Sequence, residues 1–492
     1  MTILEGNLEE EVEEKNSKVI KMVPSFLSLL FFVSLWERFS YYGMRALLVL
    51  YLTSHLGFAD AKAYAVYSVF AAIGYAVPVL SGILADKFFG FRSLVIIGSM
   101  VITLGHISMF LSSFDSEFIF LGLALIAVGT GLFKGNATSL LGACYKQNDP
   151  ERSRGFTLFY VGVNIGAFSA SILCGYVAAM YGWEYGFSLA GFGMVLGLFA
   201  FIRYQFIFGN VGLPSIKVSK SLYLFVVFAS LVLSLLVSQM IKYSEYSGSF
   251  LQYFAALFLV IFAIIIIKQK KEDKIRLIAL SVFLLFTMLF FALEMQLGSL
   301  INLFAARNVQ GSIFGFEIPA SVSQSINPFS IIIFGLLISR FLNVSSKYDI
   351  HKFAFGLFTM AICFTILYLG CINADINGKV GYLYLFVGLA FMALGEVFIG
   401  PIIKAQASLL APKHMKGFVM GLVMLALAMS NLAGMVISEF MSVPTINGEV
   451  NALESLEIYK LGFEKIAKIN VLFTIIFLTF YRFLNKVISK AQ

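Results

Sequence analysis

The sequence predicts an all-α polytopic membrane protein, on three observations. Of its 492 residues 60% are hydrophobic and only 13% charged, and mean hydropathy is +0.90. Apolar runs of about 20 residues, the length that crosses a bilayer, follow one another almost without pause. The charged share is about half that of an ordinary soluble domain, which excludes a soluble enzyme. β-Barrel strands would be runs of about ten residues alternating in polarity. These runs are long and continuous, so helices, which satisfy their own backbone hydrogen bonds, are the expected spanning element.

Fourteen runs qualify: 23–52, 63–85, 93–112, 117–143, 155–180, 186–208, 222–241, 249–267, 277–306, 321–344, 353–371, 380–410, 415–441 and 466–487. The first follows a polar, acidic tail from Glu5 to Lys21 and has no small-residue cleavage pattern behind it, so it reads as a retained span and not a signal peptide. The spans at 222–241 and 249–267 carry no buried charge and are bracketed by the basic stretches Lys217–Lys220 and Lys268–Arg276. They read as an inserted helical hairpin between two groups of six. The expected organisation is an N-terminal tail (1–22), a first six-helix bundle (23–212), a linker with two extra helices (213–275), and a second six-helix bundle with a short tail (276–492). Each six opens on a span with buried charge, as two pseudo-symmetric bundles around a central cavity require.

The net charge of +8 reports topology rather than nucleic-acid binding. With the N-terminus inside, inner loops and tails hold 24 of the 35 Lys and Arg, against Lys62, Lys242, Arg307, Lys379, Lys460, Lys465 and Lys468 outside. Both ends are therefore expected in the cytoplasm, and the partners are the lipid bilayer and a small solute. Cys144, Cys174, Cys363 and Cys371 show no metal-ligand or redox spacing and read as packing residues.

The remaining basic residues, Arg38, Arg45, Lys134 and Lys404, lie within spans. A charge at mid-bilayer costs about 2.5–3.5 kcal/mol even on the gentler insertion scale, so these must face one another or water. Arg38, Tyr41, Tyr42 and Arg45 recur at i, i+3, i+4 and i+7 and share one helical face; Ser34 extends the stripe by a turn and Glu37 lies beside it. In one reading Glu37 and Arg38 neutralise each other and pin the helix, but that leaves Arg45 without a partner. Lys134 sits in the small-residue stretch GTGLFKGNATSLLG, where helices approach closely, although a Lys near a span end also snorkels. Glu294 and Glu396 are the carboxylates deepest in apolar runs of the second half. Cations on the first bundle and carboxylates on the second would hold a zwitterion lengthwise, its carboxylate toward Arg45 and Lys134 and its amine toward Glu396.

At SLWERFSYYGMRALLVLY the chain resembles the proton-dependent oligopeptide transporters of the major facilitator superfamily, whose first span carries ExxERFxYYG. The resemblance continues through SGILADKFFGFR, GTGLFKGN, FYVGVNIGAF, SINPF, GEVFIGPIIKAQASLLAP and MGLVML, in order, over about residues 25–440. It implies a major facilitator fold with an extra helix pair between the two bundles. It also implies alternating-access uptake of di- and tripeptides driven by protons, with no other cofactor. A monomeric functional unit in a bacterial inner membrane is expected. By position, Glu37 and Arg38 would belong to the proton-coupling motif, joined by Glu294, while Arg45 and Lys134 would hold the peptide carboxylate. Tyr41, Tyr42, Tyr75, Tyr160 and Asn164 would line the pocket, and Asn327 and Glu396 would receive the amino group. Gly82, Asp86 and Gly90 match the superfamily's loop after the second span, a conformational element, though a plain helix-ending turn explains them equally; Pro401 is expected to kink its helix.

The chain departs from the family pattern at three places. Ser34 replaces the first Glu of ExxER, which removes one carboxylate from the coupling cluster. Glu294 precedes Gln296 by two residues where the family's acid adjoins a Gln, a displacement of about 100° around the helix. Lys404 stands where the family has an apolar residue, free to pair with Glu396, to alter substrate charge preference or to snorkel. An amino acid, nitrate or another small anion is the alternative cargo. His106 reads as a hydrogen-bonded packing residue. No nucleophile–base or HExxH pattern supports an intramembrane enzyme.

Overall fold

With no water to satisfy it, backbone inside a bilayer must bond within its own segment, and in the computed structural model the apolar runs are helical. The structure describes residues 24–146, 149–214, 216–313, 315–341, 348–444 and 450–491, so the expected N-terminal tail lies outside the described residues. The helices of the first half are α1 (Ser25–Leu50), α2 (Asp60–Leu84), α3 (Gly90–Leu111), α4 (Phe118–Ala143), α5 (Glu151–Tyr181) and α6 (Trp183–Tyr204). The hairpin is α7 (Lys220–Lys242) and α8 (Ser244–Ile267). The second half holds α9 (Lys271–Glu294), α10 (Leu300–Asn308), α11 (Ile326–Phe341), α12 (Asp349–Ile372), α13 (Tyr382–Leu410), α14 (Lys416–Glu439), α15 (Ala452–Thr479) and α16 (Tyr481–Ala491). A two-residue ribbon, Ser312–Ile313 against Phe316–Glu317, interrupts the helices before α11.

Eleven helical stretches among the described residues are long and apolar enough to cross a membrane, twelve if α15 and α16, bent by 52°, form one span. Two features account for the difference between those twelve and the fourteen runs of the sequence. The stretch Asp60–Leu111 has 52 residues; at 1.5 Å per residue that is about 78 Å, more than two bilayer cores of about 30 Å. It is α2 and α3 joined by the π-helical turn Ala85–Phe89 and divided at Gly90. The other is helix α1, which carries the three charges Glu37, Arg38 and Arg45 and so stands apart from the uniformly apolar spans.

The helices form two six-span bundles with the hairpin between them. In the first, α1 packs on α5 and α6, α3 on α4 and α6, and α2 on α4; in the second, α12 packs on α13 and α15, and α9 on α14 and α13. The halves meet along α2 with α14, and along α5 with α11 and the 3₁₀ turn Ala320–Ser325 before it. The hairpin leans on α4 and α2 from outside and reaches α14 and α9. An apolar groove of ≈ 310 Å³ between α2, α4 and α7, walled by Leu80, Leu84, Phe88, Phe225 and Leu233, faces outward.

Helices α3 and α4 touch backbone to backbone. A Cβ at Gly98 would lie 2.7 Å from the Gly129 carbonyl oxygen, and one at Gly105 would lie 2.9 Å from that of Gly122. This is the close approach that small residues permit in membranes.

The junction between α2 and α3 also depends on glycine. Gly90 has φ 69° and ψ 162°, a region other residues essentially do not enter. A Cβ there would stand 2.6 Å from the Gly212 carbonyl oxygen and from Pro214 N. Arg92, two residues on, donates from Nε to the Val211 carbonyl (2.5 Å) and from Nη2 to the Gly209 carbonyl (2.7 Å), tying this junction to the loop after α6. Gly90→Ala is expected to destabilise the protein by about 1–3 kcal/mol, read as a lower Tm in detergent. Gly82, helical and with open space where a Cβ would go, is the control: Gly82→Ala should not lower Tm.

One span differs in form from its sequence expectation. The run 277–306 is not one helix: α9 ends at Glu294, a 3₁₀ turn covers Met295–Gly298, and α10 resumes at Leu300. The break lets Gly298 lie against Arg45 and Tyr67, where a Cβ would come within 2.6 Å of Arg45 Nε. By contrast α13 runs as one helix through Pro401.

Candidate functional site

The polar stripe of α1 points into the protein, and its members divide between two tasks. Arg38 donates from Nε and Nη2 to both oxygens of Glu37, each at 2.6 Å, with both side chains buried. Sequence neighbours on a helix do not ordinarily face each other; these pair because either charge alone in this interior would cost several kcal/mol. The Arg38 guanidinium also lies 5.3 Å from the Tyr41 ring, and Tyr41 stacks on Phe70 at 5.8 Å. One turn on, Arg45 donates from Nε to the Tyr67 hydroxyl (2.7 Å) and rests 5.4 Å from the Tyr42 ring. Its Nη2 is buried and has no hydrogen-bond partner among the described residues, and the same holds for Ser34 Oγ.

Between the halves lies a cavity of ≈ 60 Å³. The first half contributes Tyr42, Arg45, Tyr160 and Asn164, and the second contributes Glu294, Gln324, Asn327 and Glu396. The break after Glu294 and the 3₁₀ turn before α11 set these groups on discontinuous helices, where irregular backbone lines a cavity. Asn327 donates from Nδ2 to Glu396 Oε2 at 3.3 Å, and Asn164 donates to the Tyr160 carbonyl at 2.9 Å. Glu294 is within electrostatic reach of Arg45 and Lys134, and Glu396 of Glu294, Arg45 and Lys404. Opposite charges from the two halves thus confront each other across one void.

Other expected residues stand just outside this void. Lys134 Nζ lies 4.2 Å from the Tyr75 ring centroid and within electrostatic reach of Arg38, Glu37, Lys404 and Arg45. Tyr41 turns toward Phe70 and does not line the cavity. Gln296, two residues past Glu294, is fully used in packing: it donates to the carbonyls of Ala292 and Gly434 and accepts from Ser299 and Ser438. His106 packs with Nε2 2.6 Å from Ser40 Oγ.

Two features were not read from the sequence. Gln324 is buried in the cavity wall with both amide atoms lacking a partner among the described residues; its only signal was a polar side chain three residues before Asn327, on the same face. The second is a latch between the halves. Arg307, ending α10, donates to both oxygens of Asp60, at the start of α2, at 2.6 and 2.7 Å. The Val443 N–H also donates to Asp60 (3.0 Å), and Lys379 Nζ donates to the Arg307 carbonyl (2.7 Å). Helix α4 starts at the latch end, where Lys242 pairs with Glu117. Lys134 therefore belongs to the opposite end, as do Lys404, late in α13, and Tyr160, early in α5. Tyr160, which lines the cavity, is 46% exposed, and Lys404 is exposed too, so the exposed side of the cavity lies away from the latch. Asp86 is exposed at that end, in the π turn before Gly90, with no ion pair among the described residues.

A family profile described as the POT family matches residues 91–456. The chain belongs to the POT family. Among curated POT relatives, the dipeptide and tripeptide permease A of Proteus mirabilis (strain HI4320) is 31% identical over 460 residues, covering 93% of this chain and 94% of the relative. Its namesake in Escherichia coli (strain K12) is 32% identical over 442 residues, covering 89% and 88%. Among solved structures, a bacterial homologue of the human drug peptide transporters PepT1 and PepT2 superposes with TM-score 0.82 at 26% identity, covering 94% of this chain and 99% of that one. Tetrameric PepTSo2 does so with TM-score 0.84 at 27% identity, covering 94% and 99%. The fold is that of the major facilitator superfamily, and this POT chain is a multi-pass integral membrane transporter, not an enzyme.

Proposed function

We propose that the protein imports di- and tripeptides by proton symport and alternating access, as a monomeric unit of a bacterial inner membrane with both termini in the cytoplasm. The observation that carries this is the cavity itself, with Arg45 from one half facing Glu294 and Glu396 from the other. The names of the curated relatives supply the substrate class. The unpartnered Arg45 Nη2 and the nearby Lys134 receive the peptide carboxylate, while Glu396 and Asn327 receive its amine. Tyr42, Tyr75, Tyr160, Asn164 and Gln324 frame the peptide backbone, and Tyr41 backs Arg38. Small-molecule sites usually measure about 300 Å³ or more, so the cavity of ≈ 60 Å³ has to widen to hold a peptide.

The coupling groups are Glu37, Arg38 and Glu294. Protonation of Glu294 from the outside releases its hold on Arg45 and frees that cation for peptide; deprotonation toward the inside restores the attraction and expels the cargo. Glu37 is held by two short bonds to Arg38 and, with Ser34 in place of a second acid, is the one carboxylate of that cluster. A proton moving through 100 mV supplies about 2.3 kcal/mol, and one pH unit adds about 1.4 kcal/mol. Together these sustain accumulation of a neutral zwitterion on the order of a few hundredfold.

A pulse of Ala-Ala on proteoliposomes loaded with a pH dye should produce uptake together with internal acidification. Uptake without acidification refutes symport and keeps the peptide carrier; neither signal refutes both.

A further inference from the structure

Gln324 is a side chain of the cavity wall that the fold leaves with nothing to bond. It is 3% exposed, and neither Nε2 nor Oε1 has a hydrogen-bond partner among the described residues. Turning the amide over exchanges the two atoms and changes nothing, because a donor and an acceptor stay unpaired either way. Buried polar groups are nearly always bonded, so one that is not calls for an explanation. The other two carboxamides of the wall are already engaged: Asn164 Nδ2 bonds the Tyr160 carbonyl, and Asn327 Nδ2 bonds Glu396.

The fold aims this side chain and holds it. Gln324, Asn327, Pro328 and Ile331 all line the cavity, and their spacing of i, i+3, i+4 and i+7 is one helical face. The 3₁₀ turn that carries Gln324 is pressed onto α5. A Cβ at Gly175 would collide with Ser321 Oγ, and the Tyr176 hydroxyl donates to the Glu317 carbonyl at 3.2 Å. Gln324 precedes Asn327 by three residues, a rise of about 4.5–6 Å. That is the scale of one residue step in a peptide, about 3.8 Å between Cα atoms. With the ammonium of the cargo at Asn327 and Glu396, the next backbone nitrogen falls to Gln324.

We infer that Gln324 recognises the backbone of the cargo's second residue, Oε1 accepting its amide N–H and Nε2 donating to its carbonyl oxygen. An extended residue turns both groups to one side, as it does in pairing with a neighbouring strand, and a carboxamide offers the complementary acceptor and donor in one plane. That oxygen belongs to the terminal carboxylate in a dipeptide and to the second amide in a tripeptide, so one side chain serves both lengths. An amino acid such as alanine, with its ammonium at Glu396, has no second nitrogen to offer, and nitrate has no N–H at all. The inference rests on the peptide-carrier reading and names the group that separates peptides from other small zwitterions and anions.

Alanyl-lactate, in which an ester oxygen replaces the N–H of Ala-Ala, isolates the contact. The test is competition against labelled Ala-Ala in proteoliposomes without a pH or voltage gradient. In wild type the ester should compete at least about tenfold more weakly than unlabelled Ala-Ala, because it leaves Oε1 buried and unpaired. In Gln324→Met, similar in length but with no amide, the ratio should fall to about one; Gln324→Leu serves if that variant is poorly made. Equal competition by ester and amide in wild type overturns the inference without any variant. So does a preference for the amide that survives Gln324→Met, which is the result a purely structural role would give even if both affinities dropped. If wild type does not exchange Ala-Ala at all, the peptide-carrier reading fails and takes this inference with it.

Discussion

Arg307→Ala drives the protein out of its latched conformation by on the order of a hundredfold or more. The Asp60 side chain is 1% exposed and takes both of its short charged contacts from Arg307. Removing one partner of such a pair strands the other and costs about 3–5 kcal/mol, leaving Asp60 only the Val443 N–H. In a conformation with this end open, both groups meet water and neither is stranded, so the penalty falls on the latched form alone. Spin labels at Ser54→Cys and Ile376→Cys, exposed positions at this end, report the change. The distance distribution should move to longer values in Arg307→Ala and partly return in the charge-swapped pair Asp60→Arg with Arg307→Asp. An unchanged distribution in the single variant would show that the latch does not hold the halves together.

The second large effect is on recognition. Arg45→Lys should lower Ala-Ala affinity on the order of a hundredfold, nearly as much as Arg45→Ala, because the two residues are not interchangeable at a forked site. Tyr67 fixes the guanidinium through Nε and leaves Nη2 aimed without a partner; an ammonium cannot bond Tyr67 and present a second donor in the same plane. Truncating one member of a buried charged contact costs about 2–5 kcal/mol. The C-terminal amide of Ala-Ala separates a binding role from a structural one. Wild type should discriminate strongly against the amide, and Arg45→Ala should not. Equal loss for acid and amide would place Arg45 in the scaffold.

Helical periodicity made the α1 stripe legible, since four polar residues at 3.6-residue spacing cannot be placed in lipid. It did not say which member did what. Glu37 and Arg38 pair although adjacent positions on a helix diverge, and the Arg45 partner, Tyr67, comes from the next span and looks like any aromatic packing residue. Glu294 and Glu396 stood out for the same reason as the cations, as charges in apolar runs. The break after Glu294 was not legible: Glu294, Gln296 and the Gly298–Ser299 pair interrupt an otherwise apolar run without saying where the helix yields, and only the folded chain sets Gly298 against Arg45 and Tyr67. The latch was further out of reach. Asp60 and Arg307 lie 247 residues apart, each at a span end where a charge needs no explanation. Gln324 lay uncharged among serines at the start of the run 321–344, with nothing to set it apart; its two orphaned amide atoms exist only once α5 has packed against the turn.

The glycine contacts between α3 and α4 decide where this molecule can bend. With Gly98 against Gly129 and Gly105 against Gly122, no layer of side chains separates the two helices to act as a bearing. They must travel as one plank, and any rocking of the first half pivots at its borders, where rotamers can reshuffle, rather than inside it.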